Sequence, residues 1–234
     1  MLMRDDQNRA WRRGARWLGW LLIAGGVGVL VWVAWQMWGT SWQSEREHRE
    51  IVESLEERWA GPEAPEEEQE GPKTVGEWPA KKVSAIVRVP KFGDDYAVPV
   101  LEGMTDEVLA AGFGHFEHSA EPGGEGNYAI AGHRVTHGEP LRDMPELEPG
   151  DEVIVETREA VHTYVLDTGG DDLEVPFTET WVVDAVPTNP RRGGVQPPLQ
   201  EEGQSLLSLT TCAELFHTDQ RMVAFGRLAE TEPK

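Results

Sequence analysis

The chain has 234 residues, with 21 Lys+Arg against 42 Asp+Glu, a formal net charge of −21 and a single cysteine. So acidic a composition excludes nucleic acid as a partner, because phosphate binding needs a basic face. One cysteine also excludes an intramolecular disulfide framework and the multi-cysteine structural metal sites.

Charge is distributed unevenly. Five arginines (Arg4, Arg9, Arg12, Arg13, Arg16) and two aspartates fall within residues 1–16, leaving −24 on the remainder. Residues 1–16 read as a basic cytoplasmic tail. Residues 17–38, WLGWLLIAGGVGVLVWVAWQMW, carry no charge, and as a helix they reach about 33 Å, enough to span the hydrocarbon core of a bilayer. Trp17, Trp20, Trp35 and Trp38 suit the two interfaces, and the preceding arginines predict a cytoplasmic N-terminus. A cleaved signal peptide is the rival reading, but its apolar core is shorter, and bulky Trp35-Gln36-Met37-Trp38 makes a poor cleavage site. The expectation is a single-pass cell-membrane anchor, in contact with lipid, with everything beyond it extracellular.

Residues 39–80 read as a charged stalk and linker. Ile51, Val52, Leu55 and Trp59 have helical spacing, which predicts a short helix. Residues 61–73, GPEAPEEEQEGPK, are too poor in apolar residues to bury a core and predict a disordered linker. Residues 81–230 remain as one folded domain of about 150 residues.

Strand patterns dominate that domain. Residues 85–89 and 96–100 are β-rich runs separated by Gly93-Asp94-Asp95. Thr105, placed like an N-cap, opens a predicted short helix to Ala111. Residues 112–126 read as a Gly/Pro loop and 128–131 as a buried strand. Residues 151–156 and 162–166 alternate well enough for a hairpin, 181–186 predict a further strand, and 187–198 a long loop. Residues 205–211 and 222–228 supply the last two strands. Seven or eight short strands with few helices indicate a mostly β fold, a largely antiparallel barrel or sandwich.

The lone cysteine, Cys212, ends the apolar run Leu206-Leu207-Ser208-Leu209-Thr210-Thr211 and opens into a loop. An unpaired cysteine is either a packing residue or a reactive thiol, and this context alone leaves both open. Thiol catalysis also needs a proton carrier and an oxyanion donor. His48 falls in the stalk and His162 alternates within a strand, leaving His115, His118, His133, His137 and His217 as candidates. His133 follows a short apolar run and Gly132, which permits close backbone approach. The alternative use of these residues is a zinc site drawn from His115, His118, His133, His137 and Cys212, although no HExxH is present.

Three motifs occur in order: Asn127-Tyr128-Ala129-Ile130-Ala131-Gly132-His133-Arg134, then Leu209-Thr210-Thr211-Cys212, then Arg221 before apolar Met222-Val223-Ala224-Phe225. Together they resemble the sortases, cysteine transpeptidases of Gram-positive surfaces whose signature is TLxTC with a later arginine. Gly114-His115, Pro122-Gly123, Gly126-Asn127 and Ala131-Gly132-His133-Arg134 most resemble the class E group. The resemblance covers about residues 85–228. An L,D-transpeptidase is excluded by the lack of Ser-x-Gly-Cys around Cys212.

The resemblance implies an eight-stranded sortase-like β-barrel with one or two short helices, preceded by a single transmembrane helix, and no cofactor or metal. It implies Cys212 as nucleophile, His133 as acid–base and Arg221 as oxyanion donor, with Arg227 as the rival arginine. Phe116 and Thr211 are implied as substrate-binding residues. Secreted surface proteins bearing an LPxTG- or LAxTG-like signal would be cleaved between Thr and Gly and passed to a peptidoglycan precursor amine. Alternatives are a pilin-polymerising sortase using a lysine nucleophile, or a catalytically idle anchored binding domain. Two residues depart from the family pattern: Ser208 replaces the first threonine of TLxTC, and Phe116 stands where class E members commonly carry tyrosine.

Overall fold

The computed structural model describes residues 3–34, 40–61, 83–198, 203–212 and 219–234. They fall into two compact units, residues 1–40 and 41–234.

The first unit holds one helix, α1 (Met3–Ala34), which takes in much of the arginine-rich tail as well as the apolar run. Leu21, Leu22, Ile23, Leu30 and Val31 are all exposed along it. Trp35 to Trp38 lie outside the described residues, and among those described no helix is long and apolar enough to cross a membrane.

In the second unit, α2 (Thr40–Ala60) realises the helix expected from Ile51, Val52, Leu55 and Trp59. It does not stand off as a free stalk. Val52 and Leu55 are buried against Ile86, with Ile51, Trp59, Val83 and Ala97 packed around them. Burying two such side chains stabilises by about 1.5–3 kcal/mol each. This contact also explains the unbroken apolar run of β1 (Val83–Arg88): Ala85 and Val87 belong to the barrel core, while Ile86 faces α2. Residues 62–73, the predicted linker, lie outside the described residues.

The remaining strands are β2 (Val98–Glu102), β3 (Phe113–His115), β4 (Gly126–Ala131), β5 (Glu152–Glu156), β6 (Ala160–Leu166), β7 (Glu174–Pro176), β8 (Ser205–Cys212) and β9 (Gln220–Pro233). They form one sheet in the order β6-β5-β1-β2-β3-β4-β8-β9-β7, and an additional β6–β9 pairing closes it. Eight strands make the ring, and β7 adds to β9 as an extra edge. Most pairings are antiparallel, but β2–β3 and β4–β8 are parallel. The first of these needs a crossover, supplied by α3 (Asp106–Ala111), whose N-cap Thr105 accepts from the Val108 amide. Tyr128, Phe113, Leu207, Leu209, Val100, Val153 and Tyr164 fill the core. In β5 and β6 burial alternates residue by residue, as their period-2 pattern predicts.

Two expectations are corrected. Residues 181–186 are not a strand; Thr180–Val183 form a 3-10 turn. Val182, Trp181 and Val183 join Phe225, Val223 and Val175 in a second cluster outside the ring, and a turn of three residues directs consecutive apolar side chains around its axis. The loop expected at 112–126 contains β3. The two glycines around β3 serve close approach: a Cβ at Gly112 would lie 2.3 Å from the Pro99 carbonyl oxygen, and one at Gly114 2.6 Å from that of Gly103.

Candidate active site

β4 and β8 run parallel in a register that pairs Gly126 with Ser205 and Ala131 with Thr210. Their C-terminal ends therefore emerge at the same edge of the barrel. The ladder continues beyond β4, because the Gly132 amide donates to the Thr210 carbonyl at 3.1 Å and the Thr211 hydroxyl donates to the Gly132 carbonyl at 2.8 Å. His133 thus leaves β4 beside the end of β8. On the other side of β8, Cys212 is the register partner of Arg221. Residues 133, 212 and 221, dispersed over 89 positions of sequence, are gathered at one edge by these two pairings.

The hydroxyls of the Ser208-to-Thr211 run brace this edge. The Ser208 hydroxyl lies 2.9 Å from both Asn127 Oδ1 and the Val182 carbonyl, and Asn127 Nδ2 donates to the carbonyls of Val182 and Asp184. One buried network therefore ties β8, β4 and the 3-10 turn. Only a short hydroxyl is needed at 208, so serine in place of threonine keeps the tie. Thr211 is 3% exposed and its hydroxyl is committed to Gly132. That placement makes it part of the wall that carries His133.

Gly132 is required for packing, since a Cβ there would lie 2.8 Å from Phe113 Cε1 and 3.2 Å from Pro140 Cγ. His133 itself is half-buried, and its ring lies 4.9 Å from that of His137 at 31°. Burial, and then the charge of His137, hold the His133 imidazole below its ordinary pKa against an opposing pull from Asp106. Its neutral form is favoured at pH 7. Arg221 lies with its guanidinium 3.8 Å over the ring centroid of Phe177, which follows β7, and β7 in turn pairs Val175 with Arg221. Arg227, the rival arginine, pairs with Leu206 and carries an ion pair to Asp167. At about 3.3 Å per residue it sits about 20 Å along the strand from Cys212.

The other histidines part company. His115 is 1% exposed, with Nδ1 2.9 Å from Glu102 Oε2 and Nε2 3.1 Å from the Ala120 carbonyl. Glu102, His115 and Glu121 bring their donor atoms within 4.8 Å of one another, whereas His133 and His137 stack together elsewhere. The zinc set considered from sequence is therefore divided. His162 is buried, with Nδ1 3.1 Å from the Thr231 hydroxyl. His118 is exposed, and His217 lies outside the described residues. Phe116, just past β3, donates its amide to the Ala129 carbonyl, level with Ser208. That puts it about 13 Å along the sheet from Cys212 at the strand rise. His137, one of the five candidate histidines, and His48, set aside with the stalk, are neighbours of the site, as is Phe177, which sequence reasoning missed because it carries no motif.

A cysteine, a histidine and an arginine whose backbones come to one edge of a closed eight-stranded barrel fit the sortase class of fold. The chain belongs to this family: residues 87–229 match the family model described as a sortase domain. Sortase SrtE1 of Streptomyces coelicolor is 30% identical over 97% of this chain, which spans 62% of the length of that relative. The solved structure of sortase E from Streptomyces avermitilis, 38% identical, superposes with a TM-score of 0.56 over 65% of this chain and 91% of its own. Sortase E1 from Streptomyces coelicolor, solved with a tripeptide in the active site, is 30% identical with a TM-score of 0.55 over the same shares of the two chains.

Proposed function

We propose that this chain cleaves a C-terminal sorting signal of LPxTG or LAxTG type between Thr and Gly and transfers the surface protein to a peptidoglycan precursor amine through a thioacyl intermediate on Cys212. The observation that carries the reading is the double register, Ala131 on Thr210 and Cys212 on Arg221, which gathers nucleophile, acid–base and oxyanion donor. A tripeptide in the active site of the solved Streptomyces coelicolor sortase E1 supports a peptide substrate.

In this reading neutral His133 takes the Cys212 thiol proton as sulfur attacks the threonine carbonyl carbon. Arg221, a permanent cation with a planar donor fork, stabilises the oxyanion. Collapse breaks the C–N bond, His133 passes its proton to the departing glycine amine, and a thioester remains. The incoming amine attacks that thioester, gives a proton to His133 and expels the Cys212 thiolate, to which His133 returns the proton. Phe116, level with Ser208 on the far side of β4, would help to read the leading residues of the signal.

The chain acts at the cell membrane, single-pass, with the barrel extracellular. The apolar residues exposed along α1 support this, as does the arginine cluster before them. The test is incubation of the protein with LPxTG and LAxTG peptides, alone and with a diglycine amine or a lysine-bearing pilin peptide. Amine-dependent product with cleavage at Thr–Gly is expected. Product only with the lysine peptide transfers the reading to pilin assembly, and cleavage of neither signal removes it.

A further inference from the structure

His133 opens a loop that doubles back on itself, since the Leu141 amide donates to the His133 carbonyl at 3.0 Å. The middle of this loop has an uncommon backbone: His137, Gly138 and Glu139 have φ values of 54°, 79° and 50°. A non-glycine residue in the left-handed region costs about 1–2 kcal/mol, and persists where its surroundings over-determine it. Two of those surroundings are hydrogen bonds, Glu139 amide to Thr136 carbonyl at 3.0 Å and Tyr96 hydroxyl to Pro140 carbonyl at 2.6 Å. The third is α2. A Cβ at Gly138 would lie 2.9 Å from His48 Cε1 and 3.3 Å from Ser44 Cβ, so the tip of the loop rests directly on the helix.

His48 is 4% exposed, although it belongs to a helix that looked like a solvated stalk in sequence. Among the described residues, its Nε2 and the Nδ1 of His137 are buried without a hydrogen-bond partner. The next ring in line is His133, 4.9 Å from His137. His48 thus lies beneath Gly138, and His137, the residue before that glycine, carries its ring against the proposed acid–base residue.

We infer that α2 is a working part of the active site: His48 seats the left-handed tip at Gly138, and His137, held there, sets the position of the His133 ring. The inference rests on the reading of His133 as the acid–base group, and makes His48 and His137 positioning residues. Burial lowers the pKa of His48 to about 4, with His137 acting in the same sense against the Ala110 backbone. The other charged groups around these rings are Asp106 of α3, Glu45 and Arg49 of α2, Asp95 of the turn before β2, and Glu139, Arg142 and Asp143 of the loop.

The experiment uses the full chain and compares His137→Ala, His48→Ala, His48→Phe and Val52→Ala. Each is followed by steady-state transpeptidation, by thermal unfolding and by NMR titration of the His133 ring. His137→Ala is expected to lower kcat about tenfold, a cost in line with a misplaced catalytic group, with KM changed less than twofold. It is also expected to move the His133 titration to higher pH, because both the neighbouring charge and the covering ring are lost. His48→Ala should reproduce the loss of kcat, while His48→Phe, which keeps a ring beneath Gly138, should restore it. Val52→Ala loosens α2 away from the loop and should lower Tm without moving the His133 titration. A His133 titration that stays at its wild-type value in His137→Ala overturns the inference. So does a loss of kcat in the His48 variants that only follows their Tm, as in Val52→Ala. If wild type forms no acyl-enzyme, the functional reading fails, while the titration still reports whether His137 positions His133.

Discussion

Two histidines flank the β4 region and are driven in opposite directions. At His115, Nδ1 lies against the Glu102 carboxylate, and Nε2 lies against both the Ala120 carbonyl and, at 3.0 Å, the Ser119 hydroxyl. Burial alone would lower its pKa, but Glu102, by hydrogen bond and charge, and then Ala120 and Glu121 outweigh it, and the net shift is upward. His133 has burial and a second histidine instead, and its shift is downward. One ring is pushed towards its protonated form by the carboxylate that ties β3 to β2; the other is pushed towards the neutral form, able to carry a proton. What separates them is the chemistry facing the ring, since both are substantially buried.

The comparison breaks most directly at His133. His133→Ala is expected to cut kcat/KM for transpeptidation at least 100-fold, the scale of general acid–base catalysis, with Tm changed by only a few degrees. Glu102→Gln should do the reverse: it removes the negative charge beside the buried His115 ring, costs about 2–3 kcal/mol in denaturant unfolding, and leaves kcat within a few-fold. Equal losses of activity in the two variants would erase the distinction between the rings.

Stability against pH sharpens the same contrast. The folded-state pKa of His48 is about 4 against an ordinary 6.5, so the unfolded chain takes up this proton first as pH falls. Stability present above pH 6.5 is therefore lost between 6.5 and 4, by up to about 3 kcal/mol. His115 has the opposite sign: its contribution is complete below the unfolded value and fades as pH rises through its raised folded value. Urea midpoints across pH 4–9 should show both limbs, the acid limb flattened in His48→Phe and the alkaline limb in Glu102→Gln. The smallest effect concerns Phe177. Its stacking under Arg221 is worth about 0.5–1 kcal/mol at an exposed site, so Phe177→Ala should lower kcat/KM about two- to fivefold. The loss should vanish in an Arg221→Lys background if Phe177 acts only through the guanidinium plane.

How much of this could be read from the chain depended on what each residue answers to. Runs with a clean period of two, at 151–156 and 162–166, or β-rich runs such as 85–89 and 205–211, became strands because their neighbours in sequence already report the two faces of a sheet. β3 was hidden because Gly112 and Gly114 answer to distant backbone, the carbonyls of Pro99 and Gly103. The spacing of Ile51, Val52, Leu55 and Trp59 announced a helix but not its partner Ile86. Cys212, His133 and Arg221 were legible through an ordered set of motifs, and the structure supplies the register that brings their backbones to one edge. The bracing by Ser208 and Thr211, the cover of His133 by His137, and the seat offered by His48 lie in contacts between residues far apart along the chain, so no local pattern encodes them.

The central claim is that Cys212 carries the acyl group and that the reaction passes through it. The most direct measurement is intact-protein mass spectrometry after mixing the protein with an LPxTG or LAxTG peptide, with and without an acceptor amine. The account predicts a mass increase equal to the peptide up to its threonine, less the elements of water, mapped to Cys212, discharged by the amine and absent from Cys212→Ala. Undiminished cleavage by Cys212→Ala, or an adduct elsewhere in the chain, would contradict it.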